Sequence, residues 1–252
     1  MAKGTEVDKK ANTDVAVVDW GQMAGMGSEA AEASDFAIPF LTILQKLSPQ
    51  IDTVEGSKPG MLIETAGNQL FNEDGGGLMV IPCYFRKDMV EWKPRDSGGG
   101  LVAAHGWNDQ LMATATKNER GQMILPNGNI LVDTKYHYVL VPTEKGLVHA
   151  VLSMTSTQLK KSRKWLTVIQ MRQMEKDGKT FNPPSFAYYY NIKTVKEEND
   201  KGQWMGWVIE AGPEVRDRSL ITEAIKFYKS IMAGDVKLSD PDAGLKDADI
   251  PF

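Results

Sequence analysis

Tyr136-His137-Tyr138-Val139-Leu140-Val141, then Thr143-Glu144-Lys145-Gly146 and Leu147-Val148-His149-Ala150-Val151-Leu152, is the stretch on which the fold turns. Aromatic and β-branched residues fill both runs, and the short glycine-bearing spacer predicts a hairpin. Upstream, Leu78-Met79-Val80-Ile81-Pro82-Cys83-Tyr84-Phe85 runs into Met89-Val90-Glu91-Trp92 with period two. Pro82 cannot donate to a ladder, so an edge or a bulge is expected there. The triplets Gly75-Gly76-Gly77 and Gly98-Gly99-Gly100 bracket this strand as flexible turns. Downstream, Ser156 or Thr157 should cap a helix from about Gln158 to Lys176, stopped at Gly178. Strands from Phe186 to Val195 and from Trp204 to Glu210 flank the charged turn Lys196-Glu197-Glu198-Asn199-Asp200-Lys201-Gly202. A last helix is expected from Pro213 through Leu220, Ile221, Ala224, Ile225, Phe227 and Ile231, ending near Gly234.

The expected fold class is therefore α+β, mainly β. The order strand, strand, strand, helix, strand, strand is that of an OB-fold-like five-stranded barrel with its helix between strands 3 and 4. Residues 101–134 form an insertion between the first two strands, with small strands of their own. Residues 1–34 are polar and small, and read as a flexible N-terminal arm. Asp35 should cap a helix through Phe40, Leu41, Ile43, Leu44 and Leu47 that ends at Ser48-Pro49, and Met61-Leu62-Ile63-Glu64 reads as a short strand. One domain spanning 35–234 follows, and 235–252 reads as a disordered acidic tail.

With 42% hydrophobic and 25% charged residues, the chain is able to bury a real core. The polar start and the lack of any apolar run near 20 residues point away from a signal peptide or a membrane span, so a cytoplasmic location is expected. Cys83 is the only cysteine, which rules out an internal disulfide or a thiolate metal cluster within one chain. No cofactor is expected. The net charge of −4 conceals an asymmetry: residues 135–194 carry 10 bases against 3 acids, while 1–77 carry 12 acids against 5 bases. A polyanionic partner for the basic part follows from that contrast.

Lys160-Lys161-Ser162-Arg163-Lys164-Trp165 is the strongest binding constellation. A helical wheel groups Lys161, Lys164, Trp165, Val168 and Arg172 on one side, and Leu159, Leu166 and Ile169 on the other. Cations beside an aromatic suit a sugar–phosphate backbone with a stacked base. Trp165 by itself is better read as core, with lysine stems over its rim. In Tyr188-Tyr189-Tyr190, alternation sends Tyr189 to one face and its neighbours to the other. The residues expected to touch DNA are Lys160, Lys161, Arg163, Lys164, Tyr189, Lys193, Arg86, Lys87 and Trp92.

The tail carries Asp235, Asp240, Asp242, Asp247 and Asp249 against Lys237 and Lys246, and closes on Ile250-Pro251-Phe252. Apolar residues at a free end make sense where a pocket captures them with the carboxylate. Asp-x-Asp-Ile-Pro-Phe resembles the C-terminal tip of bacterial single-stranded DNA-binding proteins, with Ala248 where that family has an acid. The remaining chain looks like a phage-encoded protein of the same type. The resemblance implies sequence-independent binding of single-stranded DNA in replication, recombination and repair. It implies an acidic tail that competes with DNA for the groove. It also implies a tip, Asp247, Asp249, Ile250, Pro251 and Phe252, that recruits a polymerase, a primase-helicase or a host repair protein. A homodimer is compatible with this reading.

Three other functions would each leave a different signature. A strand-annealing recombination protein would form rings and promote annealing. A Mg²⁺-dependent nuclease would use the Glu91-x-Lys93 spacing with Asp74 or Asp88. An adaptor would bind the tip's partner but not DNA. No P-loop and no Gly-x-Ser-x-Gly elbow occurs, and no enzyme is expected.

Overall fold

The computed structural model describes residues 20–23, 26–31, 35–72, 75–200 and 202–238. The chain is mainly β, with a curled antiparallel sheet and few helices. Near the start, β1 (Ala37–Ile38) and β2 (Leu41–Ile43) stand where a helix is expected. Pro39 lies inside that segment, where it would remove a helix hydrogen bond and clash with the preceding turn. The dense apolar spacing reflects three separate destinations. Leu41 and Ile43 enter one core cluster, Ile38 and Phe40 a second, and Leu44 a third. After the single turn α1 (Gln50–Thr53), β3 (Leu62–Glu64) and β4 (Leu70–Phe71) complete a three-stranded sheet in the order β2-β3-β4.

The large sheet is built on β5 (Leu78–Trp92), which pairs along most of its length with β9 (Ile130–Thr143). The register shifts between Pro82 and Tyr84, so the proline does mark a bulge. The extra residue flips the side-chain alternation. Before it, Leu78 and Val80 pack into the first core cluster; after it, Tyr84, Val90 and Trp92 pack into the second. The expected hairpin joins β9 to β10 (Gly146–Thr155), with Glu144-Lys145 at the tip and Gly146 at φ +133°.

The insertion contributes β6 (Leu101–Gly106), paired to β5, and the short β7 (Thr116–Lys117) and β8 (Met123–Ile124). With β5 and β9 it encloses a small core of Met89, Leu125 and Leu131. Helix α2 (Leu159–Met171) follows β10 and stops five residues short of Lys176. Asp177-Gly178 is instead the turn of a ribbon, β11 (Met174–Lys176) and β12 (Lys179–Phe181). The strands β13 (Tyr188–Asn199) and β14 (Gly202–Glu214) form the second long hairpin, and β13 also pairs with the start of β5. Because β14 runs to Glu214, the last helix begins at Arg218 rather than Pro213. Asp217 caps α3 (Arg218–Ala233), accepting from the Ser219 N–H at 2.7 Å.

The small sheet lies between the exposed sides of β10 and β14. The Val151 N–H donates to the Pro39 carbonyl at 3.0 Å, and Gln45 exchanges two bonds with Met205 at 2.8 and 3.0 Å. The chain stays on the fold past Gly234: β15 (Lys237–Leu238) pairs in parallel with β1, and Val236 and Leu238 pack on the second core cluster. The tail expected from 235 therefore begins with four residues placed on the body. Among the described residues, no helix is long and apolar enough to cross a membrane.

Candidate nucleic-acid interface

Helix α2 crosses the sheet face to which Phe85, Lys87 and Met89 point. Its inner edge is fixed by His137, whose Nε2 lies 2.8 Å from Ser162 Oγ and whose ring stacks on Trp165 with centroids 4.4 Å apart. Burial pushes the His137 pKa down to about 3, so the imidazole is neutral at physiological pH. Trp165 is only 1% exposed and meets the Tyr190 edge, which makes it core. The reading of Trp165 as core, the better one from the sequence alone, is the one the structure bears out.

The outer edge of α2 is basic. Lys160, Arg163 and Lys164 are exposed, with no ion-pair partner among the described residues. Lys161 is different: its Nζ lies 2.6 Å from Glu197, whose other oxygen accepts from Trp204 Nε1 at 3.0 Å. Lys160 and Lys161 sit in the first turn, which has no acidic residue, and Gln158 supplies no side-chain cap. Cations at the positive end of a helix dipole each cost about 0.3–1 kcal/mol. Gln158 turns its side chain away instead and accepts from the Trp207 N–H at 3.2 Å.

One alternation step along the strands, about 7 Å from Phe85 and His137, the same face carries Lys87 opposite Lys135. Both ammonium groups lie over the Trp107 ring, at 4.7 and 4.0 Å from its centroid. Trp107 follows β6 directly and is 37% exposed. Lys135 is also paired with Asp133. Neither Trp107 nor Lys135 was singled out from sequence. The register Lys87–Lys135 was the available signal for the lysine, whereas nothing local marks Trp107.

The other expected contacts lie across the sheet. Arg86, one residue from Lys87, points to the opposite face, 2.7 Å from Asp88 and over the Tyr136 ring at 5.4 Å. Trp92 and Tyr189 are partly buried on the cluster beneath α3. Burial, with Asp217 nearby, raises the Tyr189 pKa. Lys193 alternates away from the buried Ile192 and pairs with Glu210 at 2.8 Å. The nine residues therefore split: Lys160, Lys161, Arg163, Lys164 and Lys87 gather on the α2 side, while Arg86, Trp92, Tyr189 and Lys193 do not join them.

The family model for the Pam3 phage gp34-like protein matches residues 8–237. The chain belongs to that family. It is thus a phage-type protein, and no curated protein and no solved structure matches it. The gp34-like region takes in α2, the Trp107 insertion and the ribbon, and stops within β15. Asp247, Asp249, Ile250, Pro251 and Phe252 lie beyond it and outside the described residues.

Glu91, the residue a nuclease reading needs, braces the gp34-like insertion. It is buried, with His105 Nε2 at 2.7 Å and the amides of Asn127 and Asn129 donating to its other oxygen. The Asn129 bond is the main cause of its lowered pKa, which burial opposes. A carboxylate so fully engaged would have to leave three donors unsatisfied to take a metal. Asp88 points to the other face, as alternation requires, where Arg86 holds it.

Proposed function

We propose that this gp34-like phage protein binds single-stranded DNA without regard to sequence, in phage replication and recombination. The observation that carries the reading is one sheet face bearing both a cationic helix edge, Lys160, Arg163 and Lys164, and a partly exposed Trp107 with the ammonium groups of Lys87 and Lys135 over its ring. Phosphates pair with the cations, and a base stacks on the open part of the indole. The arrangement of β5, β9, β10, α2, β13 and β14 supports an OB-like barrel, with the β2-β3-β4 sheet lying where β10 and β14 would otherwise close it.

Lys161 serves a different purpose from its neighbours: paired with Glu197, it anchors the helix start rather than the strand. The acidic tail competes with DNA for the same cations, and its Ile250-Pro251-Phe252 tip recruits a replication or repair protein in the host cytoplasm. DNA binding frees the tip, which couples the two events.

Competition of duplex and poly-dT for the full chain, and for a version ending at Leu238, tests the reading. The cut falls after Leu238 because Val236 and Leu238 pack on the core. Poly-dT should be preferred, and the shortened chain should bind it more tightly. Equal affinity for duplex would replace the proposal with general polyanion binding, and an unchanged affinity on shortening would remove the competing tail.

A further inference from the structure

The ribbon β11–β12 projects from the end of α2. Asp177 and Gly178, at φ +53° and +71°, form a two-residue turn with both angles positive, the I′ geometry that suits a hairpin. Of the six strand residues only Met174 is half-buried, so the ribbon has almost no core of its own. An isolated two-stranded hairpin is marginal in water, and this one is held at its base. Asn182 Nδ2 donates to the carbonyls of Gln170 and Arg172, at 2.6 and 3.1 Å. Arg172 is fixed in turn, over the Tyr188 ring at 4.3 Å and bonded to the Gly212 carbonyl at 3.0 Å.

The pairing Met174–Phe181 and Lys176–Lys179 puts these four side chains on one face of the ribbon, with Glu175 and Thr180 on the other. Two lysines directly opposite one another destabilise a hairpin. Phe181 beside them is 43% exposed, and Met171 at the base is 74% exposed. The β13–β14 hairpin differs: Lys193 stands opposite Val208, and Lys196 opposite Met205. A ribbon that exposes a ring and repels itself suits a ligand with negative charge and flat apolar surfaces.

We propose that the ribbon is a second contact for single-stranded nucleic acid, with the backbone against Lys176 and Lys179 and a base against Phe181. This rests on the single-strand-binding reading above and extends it. Met171 lies seven positions along α2 from Lys164, about 10 Å at the helical rise, so one strand running along α2 reaches both contacts. Asp177 lies in the turn and Glu175 on the far face, which leaves the lysine-bearing face as the binding side.

The test compares the full chain with Lys176→Gln/Lys179→Gln and with Phe181→Ala, using oligo-dT of about 4 and about 16 nucleotides over a salt series. With the longer strand, the double variant should lose about 25-fold in affinity near 0.1 M salt and flatten the log–log salt slope by about 1.4. Phe181→Ala should lose at least about fivefold. All three proteins should bind the shorter strand alike, because it fits within the α2–Trp107 contact. These positions are exposed, so thermal melts should be unchanged and a folding defect would be visible separately. Variants that bind the longer strand as the unaltered chain does would overturn the ribbon's role while leaving single-strand binding intact. An unaltered chain that binds neither strand would remove both. A change in sedimentation with DNA affinity untouched would show that the ribbon meets a second copy of the chain, and would equally overturn the proposal.

Discussion

Helices α2 and α3 cover opposite faces of one sheet, yet they are made on different terms. The start of α3 is capped by Asp217, its end by Gly234 in the left-handed region, and its inner stripe packs Leu220, Ile221, Ala224, Phe227 and Ile231. Its outer cations are interleaved with Glu223, which holds Lys226 at 2.6 Å. Helix α2 has no side-chain cap, fully buries only Ser162 and Trp165, and carries four bases and no acid between Leu159 and Met171. Each of these departures weakens the helix locally. The contrast says that α3 was shaped for packing, whereas α2 gives up local stability to present charge.

The largest effect that could break this contrast concerns the two tryptophans of the α2 face. Trp165→Ala should lower unfolding stability by about 3–5 kcal/mol, as for other large buried rings. Trp107→Ala should cost no more than about 2 kcal/mol, the worth of its two exposed cation–π contacts. Urea denaturation reads both, and equal losses would mean that Trp107 is structural.

Next in size is the charge itself. Replacing Lys160, Arg163 and Lys164 together by Gln should cost about a hundredfold in oligo-dT affinity near 0.1 M salt and reduce the salt slope by about 2. The melting temperature should not fall. Neutralising Arg218, Lys226 and Lys229 on α3 should change affinity far less, and an equal loss there would erase the distinction between the two faces.

Trp107→Ala should weaken binding by about tenfold through lost stacking, with quenching of indole emission on DNA addition reduced in the variant. A variant that binds and quenches like the unaltered chain would place the base elsewhere.

The mildest effect near neutrality is pH dependence under α2. His137 has a folded pKa of about 3, below its ordinary value near 6.5, so the unfolded chain takes up the proton first. Stability should be flat above about pH 6.5 and decline as the pH falls toward 3. His137→Gln will be less stable at pH 7, but its melting temperature should change less between pH 7 and 5. Glu91, with its lowered pKa, adds a loss of the same sign at more acidic pH. An unaltered acid limb in His137→Gln would mean that another group sets it.

Much of the frame was legible, because long strands state their period plainly. The β9–β10 hairpin, the bulge at Pro82 and the Tyr188-Tyr189-Tyr190 alternation all follow from period two and from proline's missing donor. The segment near Phe40 misled because its apolar residues serve three clusters, which imitates one helical face. Of the five strand residues expected at the interface, only Lys87 joins the α2 side; Arg86, its neighbour on the strand, cannot share its face. Trp107 was illegible since its place depends on how β6 ends and on the Lys87–Lys135 register, neither of which is local. The ribbon lies where the helical period extends into the last turns of α2, and Gly178 reads there as a helix stop, whereas with Asp177 it forms a hairpin turn.

The most direct test of the central claim is a titration of fluorescently labelled oligo-dT with the full chain, repeated from about 50 mM to about 500 mM salt. The account predicts tight binding at the low end that weakens steeply and linearly on log–log axes, with several phosphates' worth of slope. No binding at the lowest salt, or an affinity indifferent to salt, would contradict it.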